Sequence, residues 1–443
     1  MWALLKGGRI IDPSRRLDTV GDVLIEDGRI RAVGATGTLD PDSSEGTVYD
    51  CAGMVVAPGL VDMHVHLREP GFEHKETIET GALAAAKGGF ASILAMPNTR
   101  PAVDNRAVVE YVLNEGSKAA VNVLTAGAAT KANEGTEMAE IGDMLEAGAA
   151  AISDDAFPIQ SADLMRRVME YCRMFDAPVL VHCEDRTMTA DAVMNEGLTA
   201  TTLGLRPWPR QAEEVMIWRN ILLADLTRCR THIQHVTTAG GVDAVRWAKS
   251  RGISVTCETC PQYFSLTDQA LSDYDTNAKC CPPLRTAADV EAIRQGLADG
   301  TIDVIATDHA PHAAEDKEVE MANAAFGMVG LETALPLVIT NLVEPGVLSL
   351  EEAISKMTVA PARVLGIDAG TLEVGARADI TLLDPDAEIV VRRDEFRSKG
   401  RNTPFEGFEL RCRAVATMVG GEFVQGEDAL RSAGAIWIDL GTI

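Results

Sequence analysis

The stretch Leu60–Pro70, LVDMHVHLREP, ends an apolar run in His64-x-His66 and places Arg68 two residues further on. Successive side chains of a β-strand point to opposite faces, so two histidines spaced by one residue share a face, as two ligands of one metal centre must. Arg68 is close enough to meet an anion held beside that centre. The stretch thus pairs a chemistry, metal-activated water, with a substrate property, negative charge.

Working outward, seven more apolar runs of strand length follow, separated by helix-length segments. They are ASILAMPNT (91–99), VNVLTAGAAT (121–130), AAAISDDAF (149–157), APVLVHCED (177–185), THIQHVTT (231–238), ISVTCETCP (253–261) and IDVIATDHAPH (302–312). Eight β-α units in order predict a closed parallel (β/α)8 barrel over residues 57–366, with its active site at the C-terminal ends of the strands. A doubly wound open sheet is the competing fold, but no glycine-rich phosphate fingerprint follows any strand. Short strands and turn signals fill both chain ends, as in GDVLIEDGRIRAVG (21–34) and GARADITLLDPDAEIVV (375–391). Asp27-Gly28 between two apolar runs is a hairpin signal. Residues 1–56 and 367–443 are therefore expected to form one small β-sandwich domain interrupted by the barrel.

Polar residues end the predicted strands. After His64 and His66 come Asn98, the pair Asp154-Asp155, His182, His235 and Asp308. Imidazoles and carboxylates converging on one mouth suit zinc or another borderline divalent ion, and their number exceeds what one catalytic zinc takes, so two metals fit better. Only one of Asp154 and Asp155 should bridge, since adjacent residues point oppositely. By the same parity His232 should face the helices and His309 should point away from the axis, both as structural residues, and His74 should be a loop hydrogen-bonder. Cys257-x-x-Cys260 and Cys280-Cys281 lack a zinc-knuckle pattern and read as small thiols near the mouth. The charge-rich EDKEVE (315–320) reads as solvated loop.

The 443 residues carry 46% hydrophobic residues in short runs, without the long apolar stretch of a membrane span or a secretion signal, so a soluble cytoplasmic protein is expected. A formal net charge of -26 argues against nucleic acid and anionic membranes as partners. Scarce lysine with this acidity suits a salty cytoplasm and equally a lineage bias. Nine cysteines in a long chain point to reduced thiols.

On the motifs DMHVHLREPGFEHKET, AMPNTRP, SDDAFPI, VHCED, HVTT, DVIATDHAPH and FGMVGLET, the chain resembles the long bacterial dihydroorotases of the amidohydrolase superfamily over essentially its whole length. The resemblance implies zinc, two ions per subunit, with His64, His66, Asp155, His182, His235 and Asp308 as ligands. Many relatives bridge their metals with a carbamylated fourth-strand lysine. This chain has no lysine between Lys131 and Lys249, so Asp155 is the expected bridge. The implied reaction is reversible closure of N-carbamoyl-L-aspartate to (S)-dihydroorotate in pyrimidine synthesis, with Asp308 as proton shuttle. Arg68, Asn98, His312 and the Phe326-Gly327 segment are implied to bind substrate, Arg68 as the carboxylate clamp. Its competing role is an ion pair with Glu69 or Glu73. A homodimer, associating in some settings with aspartate transcarbamoylase, is the implied assembly.

Two departures stand out. Cys281-Pro282-Pro283-Leu284-Arg285 replaces the family's Asn-Pro-Pro-Leu-Arg, and the seventh strand ends ETCPQYF, a spelling more familiar from allantoinases and hydantoinases. The alternatives are thus a related cyclic amidase acting on hydantoin, dihydropyrimidine or allantoin, and a non-catalytic dihydroorotase-like partner of the transcarbamoylase. The first should lack Arg68, and the second should have lost ligands.

Overall fold

Leu60–Val65 (β1) starts a parallel sheet that continues through Phe90–Ala95 (β2), Asn122–Ala128 (β3), Ala151–Ser153 (β4), Val179–Val181 (β5), Thr231–Ile233 (β6), Val255–Thr259 (β7) and Val304–Ile305 (β8). The computed structural model describes residues 2–39, 45–432 and 436–439, and among them these eight strands hydrogen-bond in sequence order. A parallel bridge between Val65 and His309 closes the barrel, and the His66 N–H donates to the His309 carbonyl at 2.8 Å. The axis is filled by Met63, Leu94, Leu180 and Ala306. A second apolar layer, including Val65, Ile93, Val181 and Ile233, packs against the surrounding helices. The expected barrel is therefore present, with helices such as Ile78–Gly88 and Gln211–Thr227 around it.

The chain ends meet in one branched sheet. Trp2–Asp12 pairs antiparallel with Leu17–Glu26, while its other edge takes Glu45–Asp50 and then Val55–Pro58, both in parallel. Ile380–Val390 adds to Val55–Pro58 and carries Glu409–Val419 beside it. Leu5, Ile10, Val56, Ile380 and Ala416 share its core, so strands from opposite ends bury each other's apolar faces. The Asp27-Gly28 hairpin is present, with φ of 48° and 75°, the two positive values a tight two-residue turn requires.

Two local expectations fail. His232 does not face the helices: it pairs in register with Leu180 on the axial side and bonds Thr256 and Glu258. The alternation breaks instead at His235, whose φ of 34° departs from strand geometry, so the three-residue spacing loses its parity meaning. Within EDKEVE, Lys317 is buried, its ammonium donating to the carbonyls of Ala325 (2.8 Å) and Gly327 (2.9 Å). Two carbonyls turned inward by the following loop, with that of Lys279 from an earlier segment, explain why a charge sits in an apparently solvated run.

Candidate active site

The C-terminal strand ends surround a cavity of about 470 Å³ lined by His66, Arg68, Asn98, Asp155, His182, Asp308, His312, Phe326, Gly327 and Cys281. That size is usual for small-ligand sites, roughly 300–1,000 Å³. His64 and His235 lie buried beside it. Arg68, His235 and Asp308 each take a left-handed φ, of 62°, 34° and 51°, just beyond their strands. Such backbone costs about 1–3 kcal/mol per residue and persists only where its surroundings fix it.

Asp155 occupies the middle. Its Oδ1 lies 3.6 Å from His64 Nε2, 3.4 Å from His182 Nδ1 and 3.7 Å from His235 Nε2, and its Oδ2 lies 3.6 Å from His66 Nε2. Asp308 Oδ1 is 3.1 Å from His66 Nε2 and 3.5 Å from His64 Nε2. His182 Nδ1 and His235 Nε2 approach to 2.7 Å. Two donor-atom groups, His64–His66–Asp308 and His64–Asp155–His235, thus lie within 4.8 Å and can each hold an ion. His64 Nε2 and Asp155 Oδ2 are buried without any hydrogen-bond partner, which costs about 1–3 kcal/mol apiece and which a bound cation relieves. The donor set therefore fits a divalent metal.

Electrostatics agree. Burial pulls the His64 imidazole down, but Glu258, Asp308 and Asp155 together hold it well above its ordinary value. Burial pushes Asp155 up, yet its contacts with His182, His235 and His64 hold it well below the usual carboxylate range. A proton held on the His64 imidazole takes the donor position a cation needs, so metal binding must displace it.

A further ring of partners aims the ligands. His64 Nδ1 meets Glu258 at 2.5 Å, and Glu258 also binds His232 at 3.2 Å. His66 Nδ1 meets Asn98 Oδ1 at 2.9 Å, and His182 Nε2 meets Glu184 Oε2 at 3.3 Å. Each contact occupies one ring nitrogen and leaves the other facing the centre. Glu258 and Glu184 escape the sequence reading, although a carboxylate inside the apolar seventh strand was a signal for the first. Asp154 lies off the centre, accepting the backbone N–H groups of His182 and Ile159. His309 points away to Glu76, and His74 is exposed.

On the substrate side, Arg68 donates Nε to the Pro311 carbonyl at 3.2 Å and has no ion pair among the described residues. Glu69 is engaged instead with the Ile78 N–H and Tyr111, and Glu73 with the Gly71 N–H. Burial lowers Arg68 to about 10, which leaves it charged at neutral pH. Burial, then the cations Arg68, Lys75 and Lys317, push His312 down to about 2. As a neutral ring it donates Nε2–H to the Phe326 carbonyl (2.8 Å), with Lys75 Nζ 3.4 Å from Nδ1. The Gly327 N–H is already given to the Lys279 carbonyl, so this residue contributes space: a Cβ there would meet Ala310 Cβ at 2.7 Å.

A closed barrel with histidines and carboxylates converging at its strand ends defines the metal-dependent amidohydrolase class. Residues 53–240 match the dihydro-orotase-like family model and residues 287–425 the amidohydrolase family model. The chain is 54% identical over 431 residues to the dihydroorotase of Pelotomaculum thermopropionicum, covering 97% of this chain and 100% of that protein. It is 51% identical to that of Acetivibrio thermocellus, covering 96% and 100%. Among solved structures, L-hydantoinase from Arthrobacter aurescens superposes with a TM-score of 0.85 at 29% identity over 95% of each chain. A D-hydantoinase, at 0.83 and 24% identity over 96% of this chain and 95% of its own, shares the fold. The chain belongs to the dihydroorotase family, hydrolases of cyclic amide C–N bonds. No helix among the described residues is long and apolar enough to cross a membrane.

Proposed function

We propose that the chain catalyses the reversible closure of N-carbamoyl-L-aspartate to (S)-dihydroorotate and water, within the 57–366 barrel, at a centre of two zinc ions. The observation that carries this reading is Asp155 standing between His64 and His66 on one side and His182 and His235 on the other, with Arg68, which makes no ion pair among the described residues, lining the same cavity. His64, His66 and Asp308 would hold one ion, His182 and His235 the other, and Asp155 both. When bound, zinc supplies a Lewis acid and a water acidic enough to ionise near neutrality. Asp308 takes the proton of the attacking water in the hydrolytic direction and delivers it to the leaving ring nitrogen; in ring closure it works in reverse. Arg68 holds the substrate carboxylate, Asn98 offers its amide beside it, and His312 with Phe326 and Gly327 shapes the wall around the ring.

A neutral cyclic amide would give Arg68 nothing to pair with, which sets hydantoin, dihydrouracil and allantoin aside as preferred substrates. The same reading places the protein in the cytoplasm as a homodimer, competent to associate with aspartate transcarbamoylase. Exposed Val215, Trp218, Leu222 and Leu226 along one face of the Gln211–Thr227 helix support a subunit contact. The test is parallel turnover of zinc-loaded protein with dihydroorotate, hydantoin, dihydrouracil and allantoin. Activity confined to dihydroorotate is expected, and comparable turnover of the uncharged rings would overturn the assignment.

A further inference from the structure

We propose that His182 Nε2, Glu184 and Cys281 form a separate, inhibitory site for soft divalent cations, zinc in excess or cadmium, in the wall of the active-site cavity. The three donors lie within 4.8 Å of one another. Glu184 Oε2 is 3.3 Å and Cys281 Sγ 3.8 Å from His182 Nε2. Tetrahedral zinc with ordinary bonds to nitrogen, oxygen and sulfur needs ligand separations of about 3.3–3.8 Å, so little has to move. The donors are also held. Glu184 accepts the Thr189 hydroxyl on its other oxygen, and Arg285 anchors the Cys281 loop through Glu213 (3.2 Å) and Asn195 (3.1 Å).

The donor chemistry is selective. A thiol, an imidazole and one carboxylate favour zinc and cadmium over magnesium or calcium. Of the nine cysteines, eight are buried and Cys281 alone reaches the cavity. The nearest competing cation is Arg186, whose Nε stands 4.0 Å from Glu184 Oε2 while its guanidinium lies over Phe157. On binding, the ion would displace the thiol proton of Cys281 and the Nε2 proton of His182 to solvent, leaving a thiolate and a deprotonated Nε2 as ligands. It would hold the edge of the ring opposite the one facing Asp155 and fill space the substrate uses. Because the family motif has asparagine at this position, the site is a property of the Cys281 substitution. Binding stands on these three residues alone; inhibition also rests on the reading of His182 as a ligand of the catalytic centre.

The experiment titrates cadmium into zinc-loaded wild-type, Cys281→Asn and Glu184→Gln proteins, recording dihydroorotate turnover and the cadmium–thiolate ultraviolet band, each variant scaled to its own activity without cadmium. In the wild type the band should grow as activity falls. Cys281→Asn should lose the band and shift the inhibition midpoint upward by roughly tenfold or more, and Glu184→Gln should shift it upward with the thiol intact. A band that persists without Cys281, or a midpoint unmoved in either variant, overturns the site. Absence of dihydroorotate turnover in the loaded wild type would instead defeat the functional reading, while the band still tests the site.

Discussion

Two cavities of nearly equal size lie at opposite ends of the barrel, about 470 Å³ at the C-terminal strand ends and about 440 Å³ at the N-terminal ends. Both are lined by charged residues, yet they differ in how those residues are paired. In the lower cavity Arg230 donates to the carbonyls of Asp176 (2.8 Å) and Val364 (2.7 Å), and Lys356 to that of Ile302 (2.6 Å). Asp303 joins Lys249 and the Cys257 N–H there, and His232 joins Thr256 and Glu258. In the upper region His64 Nε2 and Asp155 Oδ2 have no hydrogen-bond partner, only charged neighbours at 3.5–3.6 Å. Volume therefore says little about function here. Unpaired buried donors and acceptors say more, because a fold tolerates them only where something else completes them.

The sharpest way to break this contrast is to change the upper end by one atom. Asp308→Asn should lower turnover in both directions by roughly 10²–10⁴-fold while much of the metal stays bound, since the amide keeps an oxygen but cannot shuttle the proton. Stopped assays in both directions with metal analysis decide it, and retained turnover removes Asp308 as shuttle. Arg68→Ala should come next, costing dihydroorotate about 1.5–3 kcal/mol of binding, or roughly 10–150-fold in kcat/KM. An equal loss with hydantoin would show that Arg68 supports the loop rather than clamping a carboxylate.

Much of the upper end was legible because the pattern is local: a strand alternates its side chains, so His64-x-His66 shares a face whatever surrounds it. The barrel was legible for a related reason, since eight apolar runs at helix-length spacing admit few closed arrangements. What escaped the reading depends on departures from those regularities. His235 leaves strand geometry, so its facing no longer fixes that of His232, which lies on the axis rather than against the helices. Lys317 is buried by carbonyls that its own loop turns inward, a fact no charge pattern carries. Glu258 reaches His64 across 194 residues of sequence, and only the closed barrel brings them together.

Glu258 lets the comparison be tuned rather than broken, since it links the upper centre to His232 of the lower cavity. Glu258→Gln should weaken metal affinity by roughly 10–100-fold with the ligands intact, read by competition with a chelator. An unchanged affinity would make the carboxylate a packing group. A pH effect of opposite origin comes from His312. Its folded value of about 2 lies below the ordinary 6.5, so below 6.5 the unfolded chain takes a proton that the folded chain refuses. Its contribution is thus fully present above 6.5 and lost as pH falls, by up to roughly 1.4 kcal/mol per pH unit. His312→Asn should flatten the fall in unfolding free energy between about pH 7 and about pH 5.5. A slope identical to that of the wild type would mean that other groups govern it.

The smallest effect expected is the one that tests the lower cavity's quiet role. Arg230 is partly exposed and already satisfied by carbonyls, so it has structure to lose and no chemistry. Arg230→Met should lower unfolding free energy by about 1 kcal/mol, the modest worth of partly screened charged hydrogen bonds. Turnover and metal content should stay at wild-type levels, because the polar chain from this cavity to His64 runs through Thr256, His232 and Glu258 and does not include Arg230. A clear loss of turnover at unchanged stability would mean that the two ends are coupled by a route other than that chain, and pairing would no longer separate a working cavity from a structural one.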